Sequence, residues 1–224
     1  MKILLTGFDP FGGESVNPAW EAVKLVKAPD GAELVRLEVP TVFTLSIQTV
    51  MESVRLHRPD AVVCVGQAAG RSEITPERVA INIADASIPD NEGNQPCDEP
   101  IVPGGETACF STLPVKAMVE AIRAAGLPSS LSNTAGTFVC NQLMYGLLYH
   151  ISREFPGMRG GFIHVPCIPE QAARAEKPVP SLPLPEIVRG LEAALSVLAE
   201  LRWCENAPVN GRCSKDCLIW HPAM

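Results

Sequence analysis

Short apolar runs alternate along this chain with stretches whose apolar residues recur every three or four positions. Residues 61–65 are an apolar run, residues 2–5 and 161–165 are apolar apart from Lys2 and His164, and residues 33–39 alternate apolar with polar. These patterns predict strands. The run Ala61-Val62-Val63-Cys64-Val65, ending at Gly66, has no polar face, which predicts a strand covered on both sides. Five longer stretches predict helices. One opens at Asn17, a side chain suited to the N-cap, with Pro18 at the first helical position, and runs to about Val26. A second spans 41–57, stopped before Pro59, and a third spans 111–125, closed by Gly126. The fourth spans 138–153, with Val139, Leu143, Leu147 and Ile151 on one face. Ile187, Leu191, Leu195 and Leu198 form the stripe of a last helix. Residues 79–83 are a further candidate strand, and 130–133 a weak one. Between them lies a polar stretch, 85–107, long enough to predict a functional loop or a cover. Strands separated by helices predict an α/β fold with a largely parallel sheet and helices on both faces.

Composition narrows the function classes. The chain has 224 residues, of which 46% are hydrophobic and 19% charged, a globular balance that excludes general disorder. Lys+Arg 18 against Asp+Glu 25 gives a net charge of −7, which argues against a binder of nucleic-acid phosphates. No run approaches the roughly 18 apolar residues of a membrane span. The opening run before Gly7 is too short for the core of a signal peptide, so the expected compartment is cytoplasmic. Five of the eight cysteines lie far apart in the body, without metal-ligand spacing, so no metal is expected there. Residues 1–203 are expected to form one α/β domain and 204–224 a tail. The tail carries Cys204, Cys213, Cys217 and His221, open to three readings: a disordered segment, a disulfide or a zinc site.

Three residues could carry chemistry. Cys140 falls at the first turn of a predicted helix, where the positive end of the helix dipole would lower a thiol pKa and free N–H groups could hold an oxyanion. The plainer reading is a buried cysteine. His164 lies near the carboxyl end of the strand 161–165, where α/β sheets gather their sites, or it is a satisfied core histidine. Glu77 precedes the candidate strand 79–83 and could orient an imidazole, or simply cap a turn or pair with Arg78. Phe8 and Phe11, in a Gly/Pro-rich loop, form either a binding wall or a plug. The pair Gly12-Gly13 fits neither phosphate-binding glycine motif, so no nucleotide cofactor is inferred.

Taken together, five stretches resemble the pyroglutamyl peptidase family of cysteine peptidases. They run in order from residue 5 to about 171: Leu5–Gly13, Gly66–Asn82, Ile88–Gly93, Phe138–Asn141 and Gly161–Gln171. The resemblance implies a three-layer α/β/α fold with an open twisted sheet, no cofactor, and a homotetramer. It implies removal of an N-terminal pyroglutamyl residue from peptides, with Cys140, His164 and Glu77 as the catalytic triad. Phe8, Phe11, Gln67, Ile88 and Val139 are the implied substrate-binding residues, the two phenylalanines sandwiching the lactam. Two features depart from the family pattern: Ser87, where arginine is expected, and the cysteine-containing tail. Another cysteine amide hydrolase, or a binding member without activity, remain the alternatives.

Overall fold

The protein is described by a computed structural model covering residues 1–206, with side chains to residue 200. The five-stranded sheet has the order β2-β1-β3-β7-β4. Here β1 is Lys2–Phe8, β2 Glu33–Val39, β3 Ala61–Gln67, β7 Arg159–Val165 and β4 the two-residue edge Thr75–Pro76. All pairings are parallel except that of β4 with β7. The helices are α1 Pro18–Leu25, α2 Leu45–His57, α3 Val115–Ala124, α4 Val139–Glu154, the short α5 Pro169–Ala172 and α6 Leu184–Asn206. The expected division at 203/204 falls within the span of α6. The chemistry considered for the tail concerns side chains outside the described residues.

The layers follow from the two-residue period of the strands. Ile3 and Leu5 of β1, Ala61, Val63 and Val65 of β3, and Ile163 and Val165 of β7 pack on one face against α1, α3 and α6. Leu4, Val62, Cys64 and Phe162 point the other way, onto α2 and α4. Both faces are therefore buried, as the unbroken apolar run of β3 requires. The result is the three-layer α/β/α arrangement.

Three expected boundaries moved, each for a tertiary reason. The second helix begins at Leu45 rather than residue 41, because Asp9 and Asp90 capture the backbone N–H groups of Thr41 and Phe43 at 2.7 and 2.8 Å. The third begins at Val115 rather than 111. Ser111 and Thr112 donate to the Arg78 and Gly160 carbonyls, and Pro114 disfavours helix in the residue before it. The candidate strand 79–83 is realised as β5 Val79–Ile81, which leaves the main sheet to pair antiparallel with β6 Ala108–Phe110. Residues 130–133 form no strand; Ser129 and Ser132 make isolated bridges to Ile74 and Glu77. The stretch 85–107 is a tethered cover, its Asn91 amide donating to the Pro10 carbonyl at 2.9 Å beside the Phe11 turn.

Candidate active site

His164 is set by strand alternation. It lies two residues beyond Phe162, so its side chain projects toward α4 rather than α1 and α6, and its ring stands 4.7 Å from that of Phe162. Its partner in the β3 register is Gly66. A Cβ at Gly66 would lie 3.0 Å from Cys140 Sγ and 2.7 Å from Phe162 Cζ. Glycine is needed here to let the helix bring its sulfur against the sheet.

Cys140 is the second residue of α4. No side chain caps this helix at Phe138, so the first-turn N–H groups are left without a side-chain acceptor. Gly136, in the left-handed region at φ 78°, turns the incoming chain. Asn141 locks the helix start to β5: its amide donates to the carbonyls of Ile81 and Ile83, both at 2.9 Å, and its oxygen accepts from Ile81 N–H at 3.0 Å.

Glu77 follows β4 immediately and is fully buried, its backbone N–H donating to the Phe162 carbonyl at 2.9 Å. One oxygen, Oε1, takes two partners: His164 Nδ1 at 2.7 Å and the Arg71 guanidinium at 2.6 Å. Arg71 also donates to Thr75 Oγ1 at 2.5 Å and to the Thr134 carbonyl at 2.8 Å. The partner of Glu77 is thus Arg71, six residues earlier, and not the exposed Arg78. Burial raises the Glu77 carboxyl pKa, but the hydrogen bond and charge of His164, with Ser132 and Arg71, outweigh it and hold the acid below its usual range. Burial lowers the His164 pKa, and Glu77 only partly restores it. The resting pair is therefore a carboxylate and a neutral imidazole. Since the carboxylate only accepts, Nδ1 carries the proton, and Nε2 is left as the ring's acceptor.

The thiol corrects one expectation. Burial first, and the Glu77 charge second, push the Cys140 pKa up to about 12; its own helix-turn N–H pulls it down only weakly. Cys140 keeps partial exposure to the cleft, but at rest it is a thiol and not a thiolate.

Cys140 and His164 open on a cleft of about 290 Å³, which Phe8, Phe11, Gln67, Arg71 and Phe138 also line. The aromatic pairing differs from the expected one. Phe8 is the last residue of β1, only 3% exposed, and packs on Phe162 at 6.3 Å. Phe11 instead faces Phe138 at 6.3 Å, and Phe43 braces Phe138 edge-on at 5.3 Å. The Gln67 amide donates to Gln171 Oε1 at 3.1 Å and Cys167 Sγ at 3.0 Å. Two expected pocket residues do not line the cleft. Val139 is fully buried in the core beneath α4, and Ile88 is 46% exposed on the covering loop. Ser87 is exposed and does not line the cleft. Arg71 and Phe138 were not singled out from the sequence, although each stands within a quoted stretch.

The sequence model of the pyroglutamyl peptidase family matches residues 1–201. The chain belongs to that family. It is 56% identical over 201 residues to the pyrrolidone-carboxylate peptidase of Lactobacillus johnsonii, covering 89% of this chain and 93% of that protein. It is 54% identical over 213 residues to the Streptococcus suis protein of the same name, covering 94% and 98%. Among solved structures, the pyroglutamyl peptidase I of Bacillus amyloliquefaciens superposes with a TM-score of 0.86 at 54% identity, covering 89% of this chain and 97% of that one. A mutant pyrrolidone carboxyl peptidase from Pyrococcus furiosus superposes equally well, with a TM-score of 0.86 at 39% identity, covering 90% and 99%. The family resemblance in the five stretches thus extends through the whole fold.

Proposed function

We propose that this protein is a cysteine peptidase that removes an N-terminal pyroglutamyl residue from peptides through a thioester intermediate. The observation that carries the reading is one cleft, in a chain matched to the family, that holds a thiol, a carboxylate-bound imidazole and a pair of facing aromatic rings.

The chemistry starts from neutral partners. His164 takes the thiol proton of Cys140 as sulfur attacks the pyroglutamyl carbonyl, and Glu77 stabilises the imidazolium that forms. N–H groups of the first turn of α4 hold the oxyanion. The imidazolium protonates the departing amine, and water, activated by His164, hydrolyses the thioester. Binding follows from the lactam itself, a flat neutral ring without a free ammonium. Phe11 and Phe138 supply apolar walls, and Gln67 with nearby backbone supplies hydrogen bonds. Among the described residues lining the cleft, Arg71 alone carries a permanent charge, and Glu77 neutralises it. Nothing there grips the free α-amino or α-carboxylate group of an amino-acid amide, which disfavours a glutaminase. The exposure of Ser87, away from the cleft, gives no support to an inactive member.

The reading extends to a cytoplasmic enzyme acting as a homotetramer without a cofactor. The five cysteines whose side chains are described, Cys64, Cys97, Cys109, Cys140 and Cys167, are free thiols, as a reducing compartment favours. Among the described residues no helix is long and apolar enough to cross a membrane.

The test is hydrolysis of pyroglutamyl-coumarin amide against glutaminyl-coumarin amide by the purified protein. Release of coumarin from the first alone is expected. Comparable kcat/KM for both would overturn the lactam pocket and favour a general amide hydrolase.

A further inference from the structure

A second cavity, of about 370 Å³, shares Arg71 with the catalytic cleft and is otherwise polar, with Ser72, Glu73, Thr75, Ser130 and Ser132 in its walls. The two cavities are built from the same two segments. Ala68 to Arg71 and Ala135 to Gly136 wall the cleft; the first segment runs on through Glu73, and the second is reached from Ser130 and Ser132. Arg71, in the first segment, ties the two together through its bond to the Thr134 carbonyl of the second. A peptide whose first ring lies against Phe11 and Phe138, with its scissile carbonyl at Cys140, has its remaining chain to place. The continuation of these two segments offers it a trough of hydroxyl and backbone groups.

Charge gives the trough a preference. The Arg71 guanidinium is neutralised by the Glu77 carboxylate, and His164 is neutral at rest. Glu73 is half-buried and makes no ion pair with any described residue. One uncompensated carboxylate therefore remains in a polar groove.

Resting on the peptidase reading above, we propose that this trough is the subsite for the leaving peptide, and that Glu73 favours a cationic side chain just after pyroglutamate. Its ligand class is a basic peptide segment with free backbone N–H groups, not an anion.

The experiment compares kcat/KM for pyroglutamyl-Lys-Ala amide, pyroglutamyl-Gln-Ala amide and pyroglutamyl-Glu-Ala amide, each ratio read within one enzyme. The wild type is expected to prefer Lys over Gln by about 2- to 5-fold, the span of a half-exposed ion pair, and to disfavour Glu by a similar factor. High salt should shrink both ratios. In Glu73→Gln the Lys preference should vanish, and in Glu73→Lys it should invert. A wild-type ratio near one, or a Lys preference that survives Glu73→Lys, overturns the subsite. Pyroglutamyl-coumarin amide, which has no downstream residue, separates the two claims: its hydrolysis by the wild type stands or falls with the peptidase reading alone.

Discussion

Replacing Glu77 with Gln removes one charge from the most connected point of the site. The side chain keeps its size, so packing is undisturbed, but Oε1 no longer carries the charge that both His164 and Arg71 address. Removing one partner from a buried ion pair costs about 3–5 kcal/mol where the survivor is sealed from water. Arg71 is 27% exposed and keeps its bonds to Thr75 and Thr134, so the cost here should fall to about 2–3 kcal/mol. For a chain of this length that is a loss of about 4–12 °C in Tm. The catalytic cost is larger. Without the carboxylate the imidazolium formed during attack loses its stabiliser, and kcat for pyroglutamyl-coumarin amide should fall by about 10²–10⁴.

A merely structural role for Glu77 would lower Tm and spare the pH profile, so the profile is the sharper assay. Burial holds His164 below its ordinary 6.5, and the neutral ring is the base of the proposed mechanism. Activity should therefore rise with pH along an acid limb centred below 6.5. Glu77 raises the His164 pKa, so Glu77→Gln should move that limb to lower pH. Arg71 lowers it, so Arg71→Met should move the limb to higher pH. The other titratable group facing the ring in the cleft is the Cys140 thiol, which stays protonated at these pH values. Stability has the same sign. The Glu77 carboxyl is depressed, so its contribution is present above the ordinary carboxylate range and lost as pH falls through its folded value. His164 adds a second loss, beginning as pH falls below 6.5, because the unfolded imidazole takes up a proton that the folded one resists. A kcat within threefold of wild type in Glu77→Gln, or acid limbs that shift in the same direction in both variants, would refute the assignment.

Five further substitutions test other parts of the site. Cys140→Ser should abolish pyroglutamyl hydrolysis, while Cys167→Ser, which alters a sulfur hydrogen-bonded to Gln67, should keep most of it; equal losses in two folded proteins would remove Cys140 as nucleophile. Phe11→Ala should raise KM for the pyroglutamyl substrate by about 5- to 100-fold, from ring contacts worth about 1–3 kcal/mol, whereas Phe8→Ala, in the core, should chiefly lower Tm; steady-state kinetics beside calorimetry separates the two. Gly66→Ala should destabilise by about 1–3 kcal/mol and displace Cys140 Sγ, costing up to about 10² in kcat; full activity would show that the close approach at Gly66 is not needed.

What the sequence disclosed, and what it hid, divides by the range of the forces involved. Strands β1, β3 and β7 were legible because each is buried along nearly its whole length, and a continuous run such as 61–65 can be read without knowing its neighbours; β2 showed through its alternation, and the two-residue edge β4 left no signal. Cys140 and His164 were legible for a related reason: a helix start and a strand's carboxyl end are local positions that α/β topology carries to one place. The start of α2 was not, since it depends on Asp9 and Asp90, which lie 32 and 47 residues from the groups they capture. Nor was Arg71, whose partners Glu77 and Thr134 become neighbours only when Ser132 bridges to Glu77. Phe8 was counted with its loop, whereas it ends β1 and packs on Phe162 while still lining the cleft.

The thiol makes the same point about chemistry. A cysteine at a helix start invites the inference of a thiolate, because the dipole is the effect that neighbouring residues reveal. The larger effects on Cys140 come from groups distant in the chain: the sheet that buries it and the Glu77 carboxylate that repels its charge. They leave the resting site with one negative charge on Glu77 against one positive charge on Arg71, and no second ion pair stored between sulfur and imidazole. In the proposed mechanism, charge separation is deferred to the moment of attack, when the carboxylate can stabilise the imidazolium and the N–H groups of α4 the oxyanion. An apolar cleft that accepts a neutral lactam is compatible with that economy of charge.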